Sequence, residues 1–298
     1  MSVESCTNFL RATQERPELA QRLKATTALA EIVALGARHG YEFTARDLVE
    51  GSTAFTGPPP APEPEPPRGR TAFYHHEYDL DSVPGLAPLV DLLPELELRP
   101  PSADLARFRA EFRPDDLAST SDSPADPEFQ AWHQRMAEAR WRDRPGGPRR
   151  DFHLVNLDEH VDHPGYPAYF EAKTRVVELL EAAFGGEVRF SGALWYPPSS
   201  YRLWHTNENQ PGWRMYVVDL DRDPAEGETT SFFRYQNPET GEIVTLPERR
   251  RIVRFFKTEQ DPDRLFWHCI VNPAELHRWS FGFVVPEDWH ERLFGRAG

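Results

Sequence analysis

The spacing of apolar side chains predicts different structures in the two main parts of the chain. Over residues 5–50 the apolar positions recur at the spacing of an amphipathic helix, whereas over residues 188–285 they form short runs of alternating polarity. Gly40 suits the position just after a helix, and Thr44 with Asp47 has the spacing of a capping box. The N-terminal part is therefore predicted to be a small helical bundle.

The later part of the chain is predicted to be a barrel of short strands. A helix over residues 169–184, closed by Gly185-Gly186, comes before them. The predicted strands are Val188–Tyr196, Tyr201–His205, Trp213–Leu220, Thr230–Tyr235, Glu242–Leu246, Ile252–Lys257, Leu265–Val271 and Arg278–Val285. Short strands in this number are typical of a jelly roll. The predicted fold class is thus α+β, with a helical bundle followed by a double-stranded β-helix that helices flank.

A proline-rich stretch separates the two parts. It contains seven prolines between Gly57 and Pro67 and is predicted to be a semi-rigid spacer. The predicted units are a helical domain (1–50), a linker (51–72), a helical flanking segment (73–150) and the β-helix domain (151–298). Because few contacts should cross such a linker, we expect the first unit to fold independently of the barrel.

The amino-acid composition limits which partners and which cellular location are expected. The net charge is −14, from 34 basic and 48 acidic side chains, so nucleic acid is not an expected partner. The two cysteines, Cys6 and Cys269, lie far apart and form no disulfide framework, which favours a reducing cytoplasm. No signal peptide is recognised, and no apolar run approaches the roughly 18 residues that a membrane span requires. A soluble cytoplasmic protein is expected, and its oligomeric state is left open.

Two histidines in the barrel region are the main candidates for chemistry. Since strand side chains alternate, His205 is expected to share a face with Tyr201, and with Asn207 if the strand stays extended. His268 is expected to point inward from a distant strand. Several other histidines are expected at the surface or in loops, namely His39, His75, His76, His133, His160, His163 and His290.

The order His205, Asn207, His268 and then Arg278-x-Ser280 resembles that of the 2-oxoglutarate/Fe(II)-dependent oxygenase superfamily. The resemblance implies that His205, Asn207 and His268 form the catalytic metal site for Fe(II). It also implies that Arg278 and Ser280 bind 2-oxoglutarate, since the planar guanidinium matches a carboxylate bidentately. The implied reaction converts 2-oxoglutarate to succinate and hydroxylates an unactivated C–H bond.

Two tyrosines are further candidates for contacts with the co-substrate. Tyr201 and Tyr216 are predicted to place hydroxyl groups in the pocket. A metal-binding cupin is a weaker alternative, because such cupins usually carry His-x-His and position 207 is not histidine. An Arg-x-Ser near the end of the barrel is also not a cupin feature.

Asn207 departs from the family pattern, since a carboxylate is expected at its position. Asn207 could bind iron weakly through its amide oxygen, or iron could be held by the two histidines and water. A halide could take the open position, as in related halogenases. The site could also have lost catalysis and remain as a binding module. Glu208 is a substitute ligand if the chain bends after Thr206.

The N-terminal part resembles the Nif11 leader-peptide family. The resembling residues are Phe9-Leu10, residues 31–35 and residues 39–48, which read His-Gly-Tyr-Glu-Phe-Thr-Ala-Arg-Asp-Leu. Such segments serve mainly as leaders of precursors to ribosomally made, modified peptides. The resemblance implies a fused module and a peptide or amino-acid substrate in natural-product biosynthesis. The alternative is a helical unit that serves packing or dimerisation.

Overall fold

A computed structural model describes residues 2–55, 75–143, 152–208 and 210–295. Four helices form the N-terminal part, α1 (Val3–Glu15), α2 (Pro17–Lys24), α3 (Leu29–Arg38) and α4 (Ala45–Phe55). Thr44 and Asp47 cap α4 reciprocally, with Asp47 N donating to Thr44 Oγ1 at 3.2 Å and Thr44 N to Asp47 Oδ2 at 2.8 Å. Gly40 follows α3 with φ of +82°. The predicted bundle and its capping residues are confirmed.

The end of α4 corrects the predicted start of the linker. The helix continues to Phe55, so the first residues of the predicted spacer at 51–72 are helical. The remainder of the spacer lies outside the described residues.

Further helices come before and after the main barrel strands in the sequence. They are α5 (Leu89–Leu96), α6 (Leu105–Ala110), α7 (Pro114–Ala118), α8 (Pro127–Asp143), α9 (Tyr166–Phe184) and α10 (Trp289–Phe294). A strand, β1 (His75–Asp79), precedes them and was not predicted. Its sequence lacks apolar alternation, and it forms a strand because it pairs with β9 of the barrel.

The barrel consists of two antiparallel sheets. The remaining strands are β2 (Phe152–His153), β3 (Val155–Asn156), β4 (Arg189–Tyr196), β5 (Ser200–His205), β6 (Gly212–Leu220), β7 (Phe232–Gln236), β8 (Ile243–Pro247), β9 (Ile252–Thr258), β10 (His268–Asn272) and β11 (Arg278–Val284). The larger sheet has the order β1-β9-β6-β11-β4-β3 and the smaller one β2-β5-β10-β7-β8. Side chains of both sheets line one internal cavity. The predicted strands β4 to β11 are all present, and the double-stranded β-helix is confirmed.

A buried ionic network joins the N-terminal helices to the barrel. Lys173 of α9 donates to Glu31 Oε1 of α3 at 2.8 Å and to Asp158 Oδ1 at 2.8 Å, and all three side chains are fully buried. The hydroxyl of Tyr166 donates to Glu31 Oε1 at 2.7 Å, and that of Tyr169 to Asp158 Oδ1 at 2.7 Å. Both carboxylates thus have a cation and hydroxyl donors, which offsets the cost of removing them from water.

The apolar core is continuous across the same junction. Phe9 of α1 and Leu35 of α3 belong to one buried cluster with Phe170 of α9 and Trp195 of β4. The expectation that residues 1–50 form an independent unit is corrected by these contacts. The proline-rich spacer separates the two parts in sequence, but the helices pack back onto the barrel.

Both cysteines are buried free thiols, Cys6 in α1 and Cys269 in β10. Burial raises the pKa of the Cys269 thiol, which favours its neutral form. Among the helices of the described ranges, none combines the length and the apolarity needed to cross a bilayer.

Replacing Lys173 with methionine should destabilise the protein by about 3–5 kcal/mol, because two buried carboxylates would lose their cation. Arg175→Ala is the matched control on α9, since the Arg175–Glu95 pair is exposed, at 48% and 43%. Exposed pairs of this kind contribute about 0–1 kcal/mol. Urea unfolding followed by circular dichroism measures both variants. A loss in Lys173→Met no larger than that in the control would contradict the role given to the network.

Candidate functional site

The two candidate histidines meet at one end of the barrel. His205 ends β5 and His268 begins β10, and the two residues pair directly across these strands. Their ring centroids lie 4.0 Å apart, with 55° between the ring planes. Two residues that are distant in sequence are therefore brought together by strand pairing, as the sequence pattern predicted.

Backbone carbonyl groups fix which nitrogen of each ring carries the proton. His205 Nδ1 lies 2.7 Å from the Leu203 carbonyl oxygen, and His268 Nδ1 lies 2.9 Å from that of Phe266. Because a carbonyl oxygen only accepts, each Nδ1 must donate, and in a neutral ring the lone pair is therefore on Nε2. Burial, and then the positive charge of Arg202, lowers the pKa of His268 to about 3, so this ring is neutral at pH 7. A neutral imidazole oriented in this way can bind a metal through Nε2.

Asn207 lies beside the histidine pair, but its amide oxygen points elsewhere. The strand ends at His205, and Asn207 has φ of +57°, a left-handed conformation that asparagine tolerates. Its Nδ2 lies 3.4 Å from His268 Nε2, while its Oδ1 accepts a hydrogen bond from Arg202 Nη2 at 2.9 Å. The predicted bend after Thr206 is present, but in this conformation the Glu208 carboxylate accepts from the Thr206 hydroxyl.

The two imidazoles could supply two of the ligands of a metal ion. A first-row metal binds imidazole nitrogen at about 2.0–2.1 Å, which with ligand angles of about 90–110° places the centroids of two adjacent rings roughly 4.5–5.2 Å apart. The observed 4.0 Å is somewhat shorter, so the two rings would spread slightly on binding a metal. The described residues contain no group of three His, Cys, Asp or Glu side chains able to hold a metal. The protein would therefore supply two nitrogen ligands, and small molecules or Asn207 would complete the set.

A β-bulge corrects the predicted orientation of Tyr201. Between β5 and β10 the register shifts, so that His205 lies opposite His268 while Arg202 lies opposite Ile270. Arg202 consequently points into the cavity. Tyr201 lies on the outer face, where its hydroxyl is 3.5 Å from Asp116 Oδ2. The extra residue of the bulge reverses the alternation, so Tyr201 is not placed to contact a co-substrate.

The internal cavity lies between the two sheets and is lined by three arginines, Arg202, Arg254 and Arg278. Ser280 and Tyr216 line it as well, as the sequence predicted. Its volume of about 20 Å³ is room for one water molecule. The cavity is thus strongly basic and nearly filled by its own side chains.

Arg278 is already engaged by a carboxylate that the sequence did not indicate. Its Nε lies 2.5 Å from Glu248 Oε2 and its Nη2 lies 2.9 Å from Glu248 Oε1, whereas its Nη1 makes no hydrogen bond to the described residues. Arg254 Nη1 contacts Glu248 Oε1 at 3.0 Å. Burial opposes ionisation of Glu248, but Arg278 and Arg254 outweigh it and lower its pKa to about 2.

His75 is a further side chain whose position the sequence did not reveal. It was expected at the surface, but its ring stacks on Tyr235 at 4.9 Å and lies 5.7 Å from the ring of Phe233. Burial, and then Arg254, lowers its pKa to about 3. Its Nε2 is buried without a hydrogen bond to the described residues. Only the pairing of β1 with β9 brings His75 to the barrel, and no local sequence signal marks it.

Comparisons with known proteins confirm the resemblance of the N-terminal part to the Nif11 family and add little to the resemblance of the barrel to the oxygenase superfamily. Residues 1–48 match the Nif11 domain family. No curated protein matches the chain. Among solved structures, a Pseudomonas putida prolyl-4-hydroxylase is similar at 12% identity and a TM-score of 0.29, over 59% of this chain and 90% of the other.

Two further solved structures show similarity of the same order. A prolyl hydroxylase from Trichoplax adhaerens, in complex with a peptide fragment of the hypoxia inducible factor oxygen degradation domain, has 18% identity and a TM-score of 0.29, over 47% of this chain and 64% of the other. EvdO2 from Micromonospora carbonacea has 13% identity and a TM-score of 0.25, over 54% and 87%. Similarity this low transfers no activity or substrate to the present chain.

His75→Phe should make the protein less sensitive to acid. The folded state holds His75 at a pKa of about 3, below the value of 6.5 in a free chain. Between these values the unfolded state binds more protons, so stability is present above pH 6.5 and falls as the pH falls. Removing His75 should lessen that fall by at most about 1.4 kcal/mol per pH unit. Urea unfolding between about pH 6.5 and 4.5 measures the slope, with the exposed His290→Phe as control. Equal slopes in His75→Phe and the unchanged protein would show that His75 is protonated in the fold.

Asn207→Asp should tighten Fe(II) binding by at least about tenfold, since a charge pair at 4 Å contributes about 4 kcal/mol at an effective dielectric of 20. Arg202 would compete for the new carboxylate, so the gain should be larger when Arg202→Met is added. Anaerobic titration against a chromophoric chelator measures the affinity, and Asn207→Ala serves as the uncharged control. Equal affinity for Asn207 and Asp at this position in both backgrounds would place it outside the ligand set.

Proposed function

We propose that this chain is a non-haem Fe(II)/2-oxoglutarate-dependent oxygenase that hydroxylates a peptide or amino-acid substrate. One observation carries the proposal. Two imidazoles, with Nδ1 of each donating to a carbonyl oxygen, converge at one end of a β-helix whose interior holds a buried arginine at the other. When bound, Fe(II) with 2-oxoglutarate and oxygen supplies the oxidising power for C–H hydroxylation, and succinate and carbon dioxide are formed.

In this proposal His205 and His268 hold the metal through Nε2. The Leu203 and Phe266 carbonyls keep the two rings oriented by accepting from Nδ1. Burial keeps His268 unprotonated at physiological pH, so it need not lose a proton before it binds the metal. The site carries no ligand charge of its own, and an anionic co-substrate would supply the negative charge that a dication requires.

Arg278 binds the distal carboxylate of the co-substrate in the same proposal. Glu248 occupies its Nε and Nη2, which leaves Nη1 as the donor, with the hydroxyls of Ser280 and Tyr216 nearby in the cavity lining. Arg202 adds positive charge between this point and the metal ligands. A cavity of about 20 Å³ is too small for 2-oxoglutarate. We therefore expect side chains to shift when the co-substrate enters, with Arg202 turning away from Asn207.

The match of residues 1–48 to the Nif11 domain supports a biosynthetic setting for the substrate. Segments of that family serve mainly as leaders of precursors to ribosomally made peptides, so a peptide or amino acid from such a route is the proposed substrate class. Cytoplasmic location is proposed with it, since both cysteines are free thiols.

One observation favours a halogenase as a second candidate. Arg202 holds the amide oxygen of Asn207, so the third ligand position beside His268 is next to a cation and lacks a carboxylate. A halide bound there would have Arg202 as its counter-charge. A binding protein without catalysis is the remaining alternative, and the pairing of Glu248 with Arg278 is the feature that favours it.

The proposal predicts succinate release that depends on both histidines. Protein loaded with Fe(II) and 2-oxoglutarate should release succinate in air even without substrate, and His205→Ala and His268→Ala should fall to background because each loses half of the protein's metal ligands. His290→Ala, at an exposed position, should behave as the unchanged protein. A chloride-dependent change of the iron spectrum that Asn207→Asp abolishes would select the halogenase. Stoichiometric iron with no succinate would reject both enzymes and leave the binding protein.

A further inference from the structure

A large cleft lies between the N-terminal helices and the end of the barrel. Its volume is about 730 Å³, against about 20 Å³ for the internal cavity. Ala20, Leu23 and Ile32 belong to the wall formed by the N-terminal helices, and Arg189 and Arg214 to the wall formed by the barrel. We call this space the interface cleft.

The interface cleft continues the inner face of the larger sheet. Residues directly opposite each other in an antiparallel pair point to the same side. Arg214 of β6 lies opposite Phe256, which lines the internal cavity, and opposite Val284, which lines the cleft. Arg214 therefore points inward just after the loop that carries Asn207, at the end of the barrel where the histidines meet.

A side chain of the interface cleft, Ser191, and one of the internal cavity, Tyr216, lie close together beside Gly282. A Cβ atom at Gly282 would lie 2.8 Å from Ser191 Oγ, on the cleft side, and 2.8 Å from Tyr216 Cε1, on the cavity side. Ser191 Oγ is buried and makes no hydrogen bond to the described residues. A molecule in the cleft would thus meet an unsatisfied hydroxyl at the boundary of the candidate active site.

The charged side chains that line the cleft are mainly basic, although the whole chain carries a net charge of −14. Lys24, Arg189 and Arg214 line it, against the single carboxylate of Glu187. Lys24 pairs with Glu181, which is outside the lining, and Arg189 lies 3.9 Å from Glu187, so the remaining positive charge is that of Arg214. This remaining charge is complementary to an acidic ligand.

Arg214 is the cation within the cleft that lacks a carboxylate partner among the described residues. Its side chain is only 3% exposed, and it donates to the carbonyl oxygens of Gln210 at 2.5 Å and Trp213 at 3.3 Å. A buried guanidinium held by neutral acceptors alone still bears an uncompensated charge. A carboxylate that entered the cleft would supply the missing counter-charge.

We infer that the interface cleft is where the substrate enters, and that it takes a peptide segment with an acidic side chain bound by Arg214. The size of the cleft suits several residues of extended chain, and its lining mixes apolar with hydrogen-bonding side chains. The N-terminal helices are then one wall of the substrate site, held in place by the buried Lys173 network. That the bound peptide is a substrate rests on the proposed function, whereas peptide binding in the cleft requires neither a metal nor turnover.

The experiment applies the labelled full-length protein, free of metal and co-substrate, to an array of random heptapeptides. Bound peptides should be several-fold enriched in Asp and Glu, and Arg214→Gln should lose that enrichment while Arg214→Lys keeps it. Ala20→Trp should fill the cleft from the wall of N-terminal helices and reduce binding to background. Ala37→Trp, the same change at an exposed position of α3, should bind as the unchanged protein does. Circular dichroism and thermal unfolding check that each variant is folded.

Three results would overturn the inference. They are the absence of bound peptides, bound peptides without acidic enrichment, and equal binding by Ala20→Trp and Ala37→Trp. Because no metal is present, these results are independent of the succinate assay. Acidic enrichment together with a lack of succinate release would reject the oxygenase and retain the cleft as a peptide site.

Discussion

Lys173 is buried together with Glu31 and Asp158, and the placement of the N-terminal helices depends on this contact. In a medium of low dielectric, burying either carboxylate without the cation, or the cation without the carboxylates, would cost several kcal/mol. The network therefore fixes α3 against α9, and the continuous apolar core follows the same junction. A segment that resembles a detachable leader is here an integral wall of the structure.

The same constraint on buried charge shapes the interior of the barrel. Glu248 lies between Arg278 and Arg254, which keep it ionised at a pKa of about 2. This pairing lets two arginines be buried together, and it also occupies most of the fork that a co-substrate would use. If the proposed dicarboxylate co-substrate binds here, it must share Arg278 with Glu248, and its affinity would then be set by that competition.

Charge would also couple metal binding at the two histidines to the binding of an anion beside them. The two histidines and the amide would offer a dication no negative charge, while Arg202 brings a positive charge to the amide oxygen. An anion bound between them would neutralise Arg202 and attract the metal at once. In such a site a bound anion should increase the affinity for the metal, and a bound metal should increase the affinity for the anion. A site with its own carboxylate ligand would not depend on an anion in this way.

The sequence by itself determined the features that depend on near neighbours. Capping by Thr44 and Asp47 and alternation along β4 to β11 are local, and so were predictable. The tertiary structure alone decided the features that depend on pairing between distant residues. A one-residue bulge between β5 and β10 turned Tyr201 outward and Arg202 inward, since an extra residue reverses every side chain beyond it. The pairing of Glu248 with its arginines, and of Lys173 with its carboxylates, joins residues that are far apart in sequence. Only the fold brings these partners together, and a buried charge requires such a partner.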